Sequence, residues 1–242
     1  MATRSDGRAA AALRPVSFQA GFQKHPAGSV LVGMGGTRVI CSVSVVPSVP
    51  RWMQEQGRVG GWLTSEYAML PGSADDRVAR DSGRGGVSGR SQEIQRLVGR
   101  SLRSVVDMTK LGARTVHVDC DVLDADGGTR CAAITGASVA LELALRQLQA
   151  RGELREWPLR EHVAAVSVGV VKGEPLLDLC YVEDSAAEVD MNVVMTAGGK
   201  FVEVQGTAER APFSHDDLQA LLALAGGGLT QLFALQQAAL AG

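Results

Sequence analysis

The stretch "TVHVDCDVLDADGGTRCAAITGASVALELALRQL", residues 115–148, passes from a strand pattern to a helix pattern within a few residues. Apolar and polar residues alternate over 115–122, which is typical of a half-buried β-strand. The later apolar residues, among them Leu141, Leu145 and Leu148, recur at helical spacing and predict a helix over about 132–149. A strand followed directly by a long helix indicates a fold in which helices pack on sheets.

Two glycines, a threonine and an arginine separate this strand from this helix, and they support two interpretations. Gly127 and Gly128 suit an ordinary turn between the two elements. The same residues suit an anion site, because a helix start presents unpaired N–H groups and partial positive charge. In that case Thr129 offers a hydroxyl and Arg130 a charged fork that matches phosphate. The local pattern does not choose between the two.

Strand patterns outnumber helix patterns in the rest of the chain. The segment 53–90 is rich in Gly and polar residues and predicts a long, partly mobile loop. The segment that begins at Ser214 predicts a helix, but Gly226–Gly228 cost about 1 kcal/mol each there, so we expect two short helices. Strands are predicted at 13–22, 28–35, 37–46, 160–171, 174–184, 187–196 and 200–209, and a helix at 91–108. The predicted fold class is α/β of the α+β type, with mixed β-sheets and packed helices.

The composition is that of an ordinary globular protein, with 45% hydrophobic and 21% charged residues among 242. No apolar stretch approaches the roughly 20 residues of a membrane span, and the N-terminus lacks the apolar core of a secretory signal. We therefore expect a cytoplasmic protein that has no membrane partner. The four cysteines and four histidines are dispersed, which favours reduced thiols over a zinc site or a disulfide framework.

The net charge of −2 conceals a basic cluster. Within residues 77–103 only Asp81 and Glu93 oppose seven arginines, which leaves a local charge of +5. The seven are Arg77, Arg80, Arg84, Arg90, Arg96, Arg100 and Arg103. The last three share one side of the predicted helix, where they form either a solvated face or part of a polyanion-binding surface.

Several common catalytic motifs are missing from the sequence. The G-x-G of "VGMGGTRVICSVSV" is followed by a strand pattern, whereas a dinucleotide fingerprint needs a helix there. The glycine-rich "GRGGVSGRS" lacks the lysine and the spacing of a phosphate loop. Neither G-x-S-x-G nor H-E-x-x-H occurs, so the usual hydrolase and metalloprotease motifs are excluded.

Three aspartates, Asp178, Asp184 and Asp190, bracket a predicted turn between two strands. Because Asp184 and Asp190 flank "SAAEV", a hairpin would bring their carboxylates together. Two neighbouring carboxylates favour a hard divalent cation such as Mg²⁺, or the retention of one proton. The alternative is that these side chains merely solvate the turn.

Several long segments, in this order along nearly the whole chain, carry a resemblance to a known family. They are "GWLTSEYAMLPG", "SGRSQEIQRLVGRSLRSVVD", "DCDVLDADGGTRCAAITGASVAL", "YVEDSAAEVDMNVVMT" and "FVEVQGTAE", with "DGR…LRPV" before them and "LFALQQAAL" after them. Together they resemble bacterial ribonuclease PH. The resemblance implies a single ribonuclease PH-like domain over 1–242 and a phosphate-dependent 3′→5′ exoribonuclease. Such an enzyme trims the 3′ ends of tRNA precursors, acts in tRNA and rRNA processing, releases nucleoside diphosphates, and adds nucleotides in reverse.

The resemblance also implies roles for individual residues. Phosphate, the co-substrate, is bound by Arg90 together with Gly128, Thr129 and Arg130. The essential aspartates are Asp184 and Asp190, which either hold Mg²⁺ or protonate the leaving group, with Asp178 as a catalytic neighbour. The expected RNA contacts are Arg77, Arg80, Arg84, Arg96 and Arg100.

Relatives assemble as homo-hexamers, trimers of dimers, and we expect the same here. The chain departs from the family at Gly72, where an arginine is usual, and at the acidic pair Asp75 and Asp76. These departures predict weaker RNA binding at this edge. Some relatives are catalytically silent, RNA-binding ring subunits of exosome-type assemblies, which is the alternative function. Such subunits usually lose the phosphate-binding arginines or the aspartates, which this chain retains.

Overall fold

The computed structural model describes residues 4–209 and 211–241, with the side chains of Ser82 and Arg84 excepted. The first sheet contains β1 (Val16–Ala20), β2 (Gly28–Met34), β3 (Thr37–Val46), β4 (Trp62–Met69) and β5 (Thr115–Asp124). Their spatial order is β1-β2-β3-β5-β4, in which only β4 and β5 pair in parallel.

The second sheet is antiparallel and has the order β7-β6-β8-β9. Its strands are β6 (Val163–Val171), β7 (Glu174–Leu177), β8 (Val189–Thr196) and β9 (Phe201–Ala208). The helices are α1 (Arg51–Glu55), α2 (Gly89–Val105), α3 (Thr129–Ala150), α4 (Tyr181–Asp184) and α5 (His215–Ala241), with a 3₁₀ turn at Asp81–Arg84. Mixed sheets with packed helices confirm the predicted fold class.

The helix α3 forms the centre of the molecule, since it packs against β2 and β3 of one sheet and β6 of the other. Its side chains are buried nearly all round, as the apolar composition of its sequence requires. The helix α2 covers β4, and α5 covers β6 and β7. Because α3 begins directly after β5, this packing fixes the position of the loop between them.

Two helices, Thr129–Ala150 and His215–Ala241, are long and apolar enough to cross a membrane, contrary to the expectation from sequence. Length and composition are weak evidence for a span. The first helix is the buried centre of this fold, which accounts for its apolar character without a bilayer.

The predicted loop at 53–90 is wrong in its extent, because β4 lies within it. Leu63 and Tyr67 of β4 point into the core and alternate with outward residues, but Gly and polar neighbours conceal the pattern in the sequence. Parallel pairing with β5 stabilises the strand, and this contact links segments about fifty residues apart, so only the tertiary structure supplies it. The irregular part is confined to the residues between β4 and α2.

The C-terminal segment is one continuous helix instead of the two that we expected. Ser214 caps it as predicted, with its Oγ accepting the N–H of Asp217 at 3.1 Å. Gly228 lies against Leu177 of β7, and a Cβ there would approach Leu177 Cδ1 to 2.7 Å. Close packing of the helix on the sheet therefore offsets the helix-breaking tendency of the glycines.

The prediction of one strand over 174–184 is also wrong. The strand β7 ends at Leu177, and residues 181–184 form the one-turn helix α4. Nor is there a hairpin between β7 and β8, because both strands pair with β6. Asp184 therefore lies at the end of a short helix, and Asp190 lies on the neighbouring strand β8.

Candidate active site

The glycine loop, residues 126–128, joins β5 to α3 and has a conformation that needs its glycines. Gly127 and Gly128 have φ angles of 73° and 65°, in the left-handed region. A Cβ at Gly127 would also lie 2.7 Å from the carbonyl oxygen of Leu179. Because Gly128 precedes α3 and no side chain caps the helix, the N–H groups of its first turn are available to an anion.

Two arginines flank this helix start. Arg90 lies exposed in the first turn of α2, behind the cap formed by Ser88. Arg130 lies in the first turn of α3, where its Nη1 donates to Glu93 Oε1 at 3.1 Å and Gln205 Oε1 at 2.8 Å. Arg90 has no ion pair with any described residue, so its charge is available to a ligand.

Arg90 and Arg130 act electrostatically on the same three side chains. Burial raises the pKa of Asp184 above its ordinary value, and the charges of Arg90 and Arg130 oppose this increase. The same two arginines act against the raised pKa of Asp190 and of Tyr67. Both positive charges therefore favour the ionised forms of these side chains.

A cleft of about 810 Å³ opens in front of the helix start. It is lined by Arg90, the glycine loop, Thr129, Tyr181 and Asp184, among others. The hydroxyls of Thr129 and buried Tyr67 lie 2.8 Å apart, so Tyr67 fixes the orientation of Thr129. A small oxyanion in this cleft would meet helix N–H groups, a hydroxyl and permanent positive charge.

Asp184 and Asp190 line a second, adjoining cavity of about 380 Å³, together with Glu209. Burial raises the pKa of Asp190 to about 6, and the neighbouring charges of Asp184 and Glu209 add to that increase. The Oδ1 atom of Asp190 is buried and has no hydrogen-bond partner among the described residues. The pair is therefore electrostatically strained, and it would gain from a proton or a cation.

The third predicted carboxylate, Asp178, is not at this cavity. It is buried on the other side of the glycine loop, where Arg14 donates to its Oδ1 at 2.7 Å from Nη2. The backbone N–H of Arg14 donates to its Oδ2, also at 2.7 Å. A carboxylate that is already satisfied by a buried arginine cannot reach a substrate in the cleft, so the prediction of a catalytic role for Asp178 is corrected.

The residues of the second cavity fit a magnesium ion only as a partial site. In the described ranges, 4–209 and 211–241, no group of three or more His, Cys, Asp or Glu residues forms a complete cage. Two carboxylates do meet, one of them with an unpartnered buried oxygen. Mg²⁺ is commonly held by one or two carboxylates while water and substrate phosphate complete its octahedron, so Asp184 and Asp190 fit this ion.

Four of the arginines that were predicted to contact RNA are exposed, and one of the four is ion-paired. Arg77 and Arg80 are exposed in the segment between β4 and α2, and Arg96 is exposed on α2. Arg100 is exposed but forms an ion pair with Glu203 of β9. The side chain of Arg84 lies outside the described part of the chain.

The same segment also lines the cleft through Gly72 and through two acidic residues, Asp75 and Asp76. This side of the cleft is therefore less positive than the segment's arginines suggest.

Sequence reasoning missed four residues around the site: Arg14, Tyr67, Tyr181 and Glu209. Tyr67 and Glu209 belong to strands or strand ends, where nothing local distinguishes them from ordinary sheet residues. Tyr181 is 58% exposed and borders the cleft. All four residues lie within the segments that carry the family resemblance, which is the signal that was available in the sequence.

Comparison with known protein families identifies the family to which the chain belongs. Residues 12–147 match domain 1 of the 3′ exoribonuclease family, RNase PH, and residues 162–228 match its domain 2. The chain belongs to the RNase PH family. The first match contains the glycine loop and both arginines, and the second contains Asp184 and Asp190, so the cleft lies where the two halves of the family's sequence meet.

Solved structures with the same fold align with nearly the whole length of this RNase PH-family chain. Rice (Oryza sativa) Rrp46 has a TM-score of 0.80 at 18% identity and covers 99% of this chain and 100% of its own. An Archaeoglobus fulgidus exosome with RNA bound to its active site has a TM-score of 0.77 at 22% identity, covering 95% and 91%. An archaeal exosome core has a TM-score of 0.75 at 22% identity, covering 97% and 91%. At these identities the likeness establishes the fold.

Proposed function

We propose that this RNase PH-family protein is a phosphorolytic 3′→5′ exoribonuclease that trims the 3′ ends of tRNA precursors. The observation that carries the proposal is the cleft that Arg90, Thr129 and Asp184 line together in front of the uncapped start of α3. That arrangement suits two anions held side by side, one as nucleophile and one as target. A hydrolytic nuclease has no need of a site for free phosphate.

In the proposed reaction an oxygen of inorganic phosphate attacks the phosphorus of the last phosphodiester. The bond from phosphorus to the 3′ oxygen of the preceding nucleotide breaks, a nucleoside diphosphate leaves, and that 3′ oxygen takes up a proton. Arg90, Arg130 and the N–H groups at the start of α3 bind the phosphate and reduce the repulsion between the two anions. Thr129, oriented by Tyr67, supplies one further hydrogen bond.

The carboxylates would serve the leaving side of the reaction. Asp190, whose pKa is raised to about 6, retains a proton in a fraction of molecules near neutral pH and can donate it to the leaving 3′ oxygen. Asp184 lies next to it and lines both cavities, so it faces the phosphate cleft and the carboxylate cavity together.

As the alternative to that acid role, Asp184 and Asp190 in their ionised forms would hold Mg²⁺. When bound, the ion would supply positive charge to balance the anionic phosphates that meet at the site. The unpartnered Oδ1 of Asp190 supports this assignment, because a buried carboxylate oxygen without a donor is otherwise costly.

The RNA would enter as a single strand along the segment between β4 and α2, guided by Arg77, Arg80 and Arg96 through backbone contacts. The exposed ring of Tyr181 borders the cleft beside Asp184 and offers a stacking surface for the terminal base. We further propose a cytoplasmic homo-hexamer, a trimer of dimers, because six copies of the arginine-bearing segment around one channel would concentrate charge that a single chain with net charge −2 lacks.

A second candidate function is an RNA-binding exosome-type subunit without activity of its own. The observation that favours it is the likeness to two exosome structures across more than nine-tenths of the chain. The acidic residues Asp75 and Asp76 at the cleft also suit a subunit in which the RNA path differs. Against this candidate, Arg90, Thr129 and Asp184 line the phosphate cleft, Asp190 lines the adjoining cavity with Asp184, and Arg130 lies in the first turn of α3 beside them.

One experiment distinguishes the two. A tRNA precursor with a 3′ extension is incubated with the full chain and Mg²⁺, with and without inorganic phosphate, and the released mononucleotide is identified. Phosphorolysis predicts nucleoside diphosphates only when phosphate is present, and no product from Asp184→Asn at unchanged RNA affinity. RNA binding without product supports the second candidate, and nucleoside monophosphates without phosphate contradict both.

A further inference from the structure

The N-terminal segment, residues 4–14, has no role in the chemistry described above, yet it contains two buried arginines that each make several hydrogen bonds. Arg4 and Arg14 are only 5% and 3% exposed. Burial of a guanidinium is costly unless each of its donors is satisfied. The hydrogen-bond partners of these two arginines therefore show which groups the segment holds in place. These partners lie in two distinct parts of the site.

Arg14 connects to the glycine loop. Its Nη2 and Nε donate to Asp178, at 2.7 and 3.1 Å, so the guanidinium is held in one plane. Its Nη1 donates to the carbonyl oxygen of Asp126, and Nη1 and Nη2 lie within 3.5 Å of the carbonyl oxygen of Gly127. Thr37 donates to the same Gly127 carbonyl at 2.7 Å. The carbonyls of Asp126 and Gly127 are thus held by Arg14 and Thr37, which fixes the peptide planes of the glycine loop.

Arg4 connects to the short helix that carries Asp184. It donates to both oxygens of Glu183, Nε to Oε1 at 2.8 Å and Nη2 to Oε2 at 2.7 Å. Burial opposes ionisation of Glu183, but Arg4 and the N–H of Cys180 hold the pKa of its carboxyl below the ordinary value. Asp184 is the next residue, so its position depends on this forked ion pair.

The two contacts belong to one network. Arg4 Nη2 and Arg8 Nη2 each donate to the carbonyl oxygen of Asp178 at 3.1 Å. The Oδ1 atom of Asp126 accepts the N–H of Tyr181 at 3.1 Å, which ties the glycine loop to the start of α4. A four-residue helix such as α4 has little stability of its own and needs such anchoring.

We propose that residues 4–14 form a positioning brace for the candidate active site: Arg14 with Asp178 holds the glycine loop, and Arg4 with Glu183 holds Asp184. The brace rests on the proposed function, since it positions the phosphate-binding and carboxylate halves of that same site. Asp178, which resembles a catalytic aspartate by its place in the sequence, is on this proposal a positioning residue. Arg4, Arg14, Asp178 and Glu183 line neither the cleft nor the carboxylate cavity.

The test compares the full chain with Arg14→Lys and Arg4→Lys, which keep the charge and remove the fork. Arg146→Lys is the matched control, because Arg146 also forms a forked contact, with Glu142 and the Leu240 carbonyl, at the far end of α3. Inorganic phosphate binding is measured by calorimetry, turnover of RNA at saturating phosphate gives kcat, and hydrogen exchange locates loosened backbone.

The two halves of the brace, Arg14 with Asp178 and Arg4 with Glu183, predict different changes in phosphate affinity, kcat and hydrogen exchange. Arg14→Lys is expected to weaken phosphate binding roughly tenfold, with faster exchange confined to residues around the glycine loop. Arg4→Lys is expected to lower kcat roughly tenfold at unchanged phosphate affinity, with faster exchange at 181–187. Arg146→Lys changes neither quantity. If folding fails in either lysine variant, Asp178→Asn and Glu183→Gln test the same two halves with smaller changes.

The brace is overturned if both variants lose phosphate affinity and kcat by equal factors, or if neither differs from Arg146→Lys. Failure of the proposed function is separable: a wild-type chain that binds phosphate but releases no diphosphate refutes phosphorolysis, while calorimetry and hydrogen exchange still decide the brace. A wild-type chain that binds no phosphate refutes both.

Discussion

Replacement of Asp190 by Asn is expected to stabilise the metal-free protein at neutral pH while it removes the proposed leaving-group acid. Burial, reinforced by the negative charge of Asp184, raises the pKa of Asp190 from 3.8 to about 6. The difference of about two pH units corresponds to about 3 kcal/mol against folding when the carboxyl is ionised. Partial exposure and the hydrogen bonds that an amide needs reduce the expected gain to about 1–2 kcal/mol.

The direction of the pKa shift of Asp190 determines how the stabilisation in Asp190→Asn depends on pH. Below about pH 4 the carboxyl is protonated in both the folded and the unfolded state, so Asp190 costs no stability. Between about pH 4 and 6 the unfolded chain loses its proton first, and the cost of Asp190 increases to its full value above that range. The stabilisation in Asp190→Asn should therefore be absent at about pH 3.5 and complete at about pH 8.

Urea unfolding in the presence of EDTA, repeated across this pH range, measures the difference between variant and wild type. Asp217→Asn is a control of opposite sign, because hydrogen bonds from the backbone and the hydroxyl of Ser214 lower the pKa of Asp217. That variant should lose stability at about pH 8, and the loss should vanish in strong acid. A destabilised Asp190→Asn at about pH 8, or an effect independent of pH, would refute the reasoning.

Three further outcomes are expected. Arg130→Ala should raise the phosphate concentration needed for half-maximal turnover by roughly tenfold while RNA affinity, measured by filter binding, stays the same; unchanged phosphate dependence would count against the site. Gly127→Ala should cost about 2–4 kcal/mol in urea unfolding, because of its positive φ and the Leu179 carbonyl, whereas Gly226→Ala, with nothing within 4 Å, should gain about 0.5–1 kcal/mol; equal effects would contradict the loop geometry. Tyr181→Ala should weaken binding of single-stranded RNA roughly tenfold and Tyr181→Phe should not; equal losses would argue against stacking.

The sequence motifs predicted the residues on the phosphate side of the site because these residues are close together in the sequence. The glycine loop, Thr129 and Arg130 are consecutive, and a strand pattern followed by a helix pattern indicates where they lie. Arg90 precedes a helix pattern of the same clarity. Positions of this kind depend on short-range periodicity and turn chemistry, which a sequence expresses directly.

The sequence predicted that Asp184 and Asp190 lie close together, but it predicted the wrong backbone geometry for them. Asp184 and Asp190 do line one cavity, but a one-turn helix and a strand that pairs with β6 bring them there, instead of a hairpin. Asp178 has the same spacing and composition signals as the other two. Only its partner Arg14, 164 residues away, distinguishes it.

The sequence by itself determined the fold class, the long buried helix, the helix start that faces the cleft and the identity of the charged residues near it. These features follow from periodicity, glycine conformation and residue chemistry, all of which act over a few neighbouring residues. Only the tertiary structure decided that β4 is a strand, that α5 is unbroken, and which aspartates face the cleft. Those outcomes depend on contacts between segments far apart in the chain, where packing and ion pairs outweigh local preference.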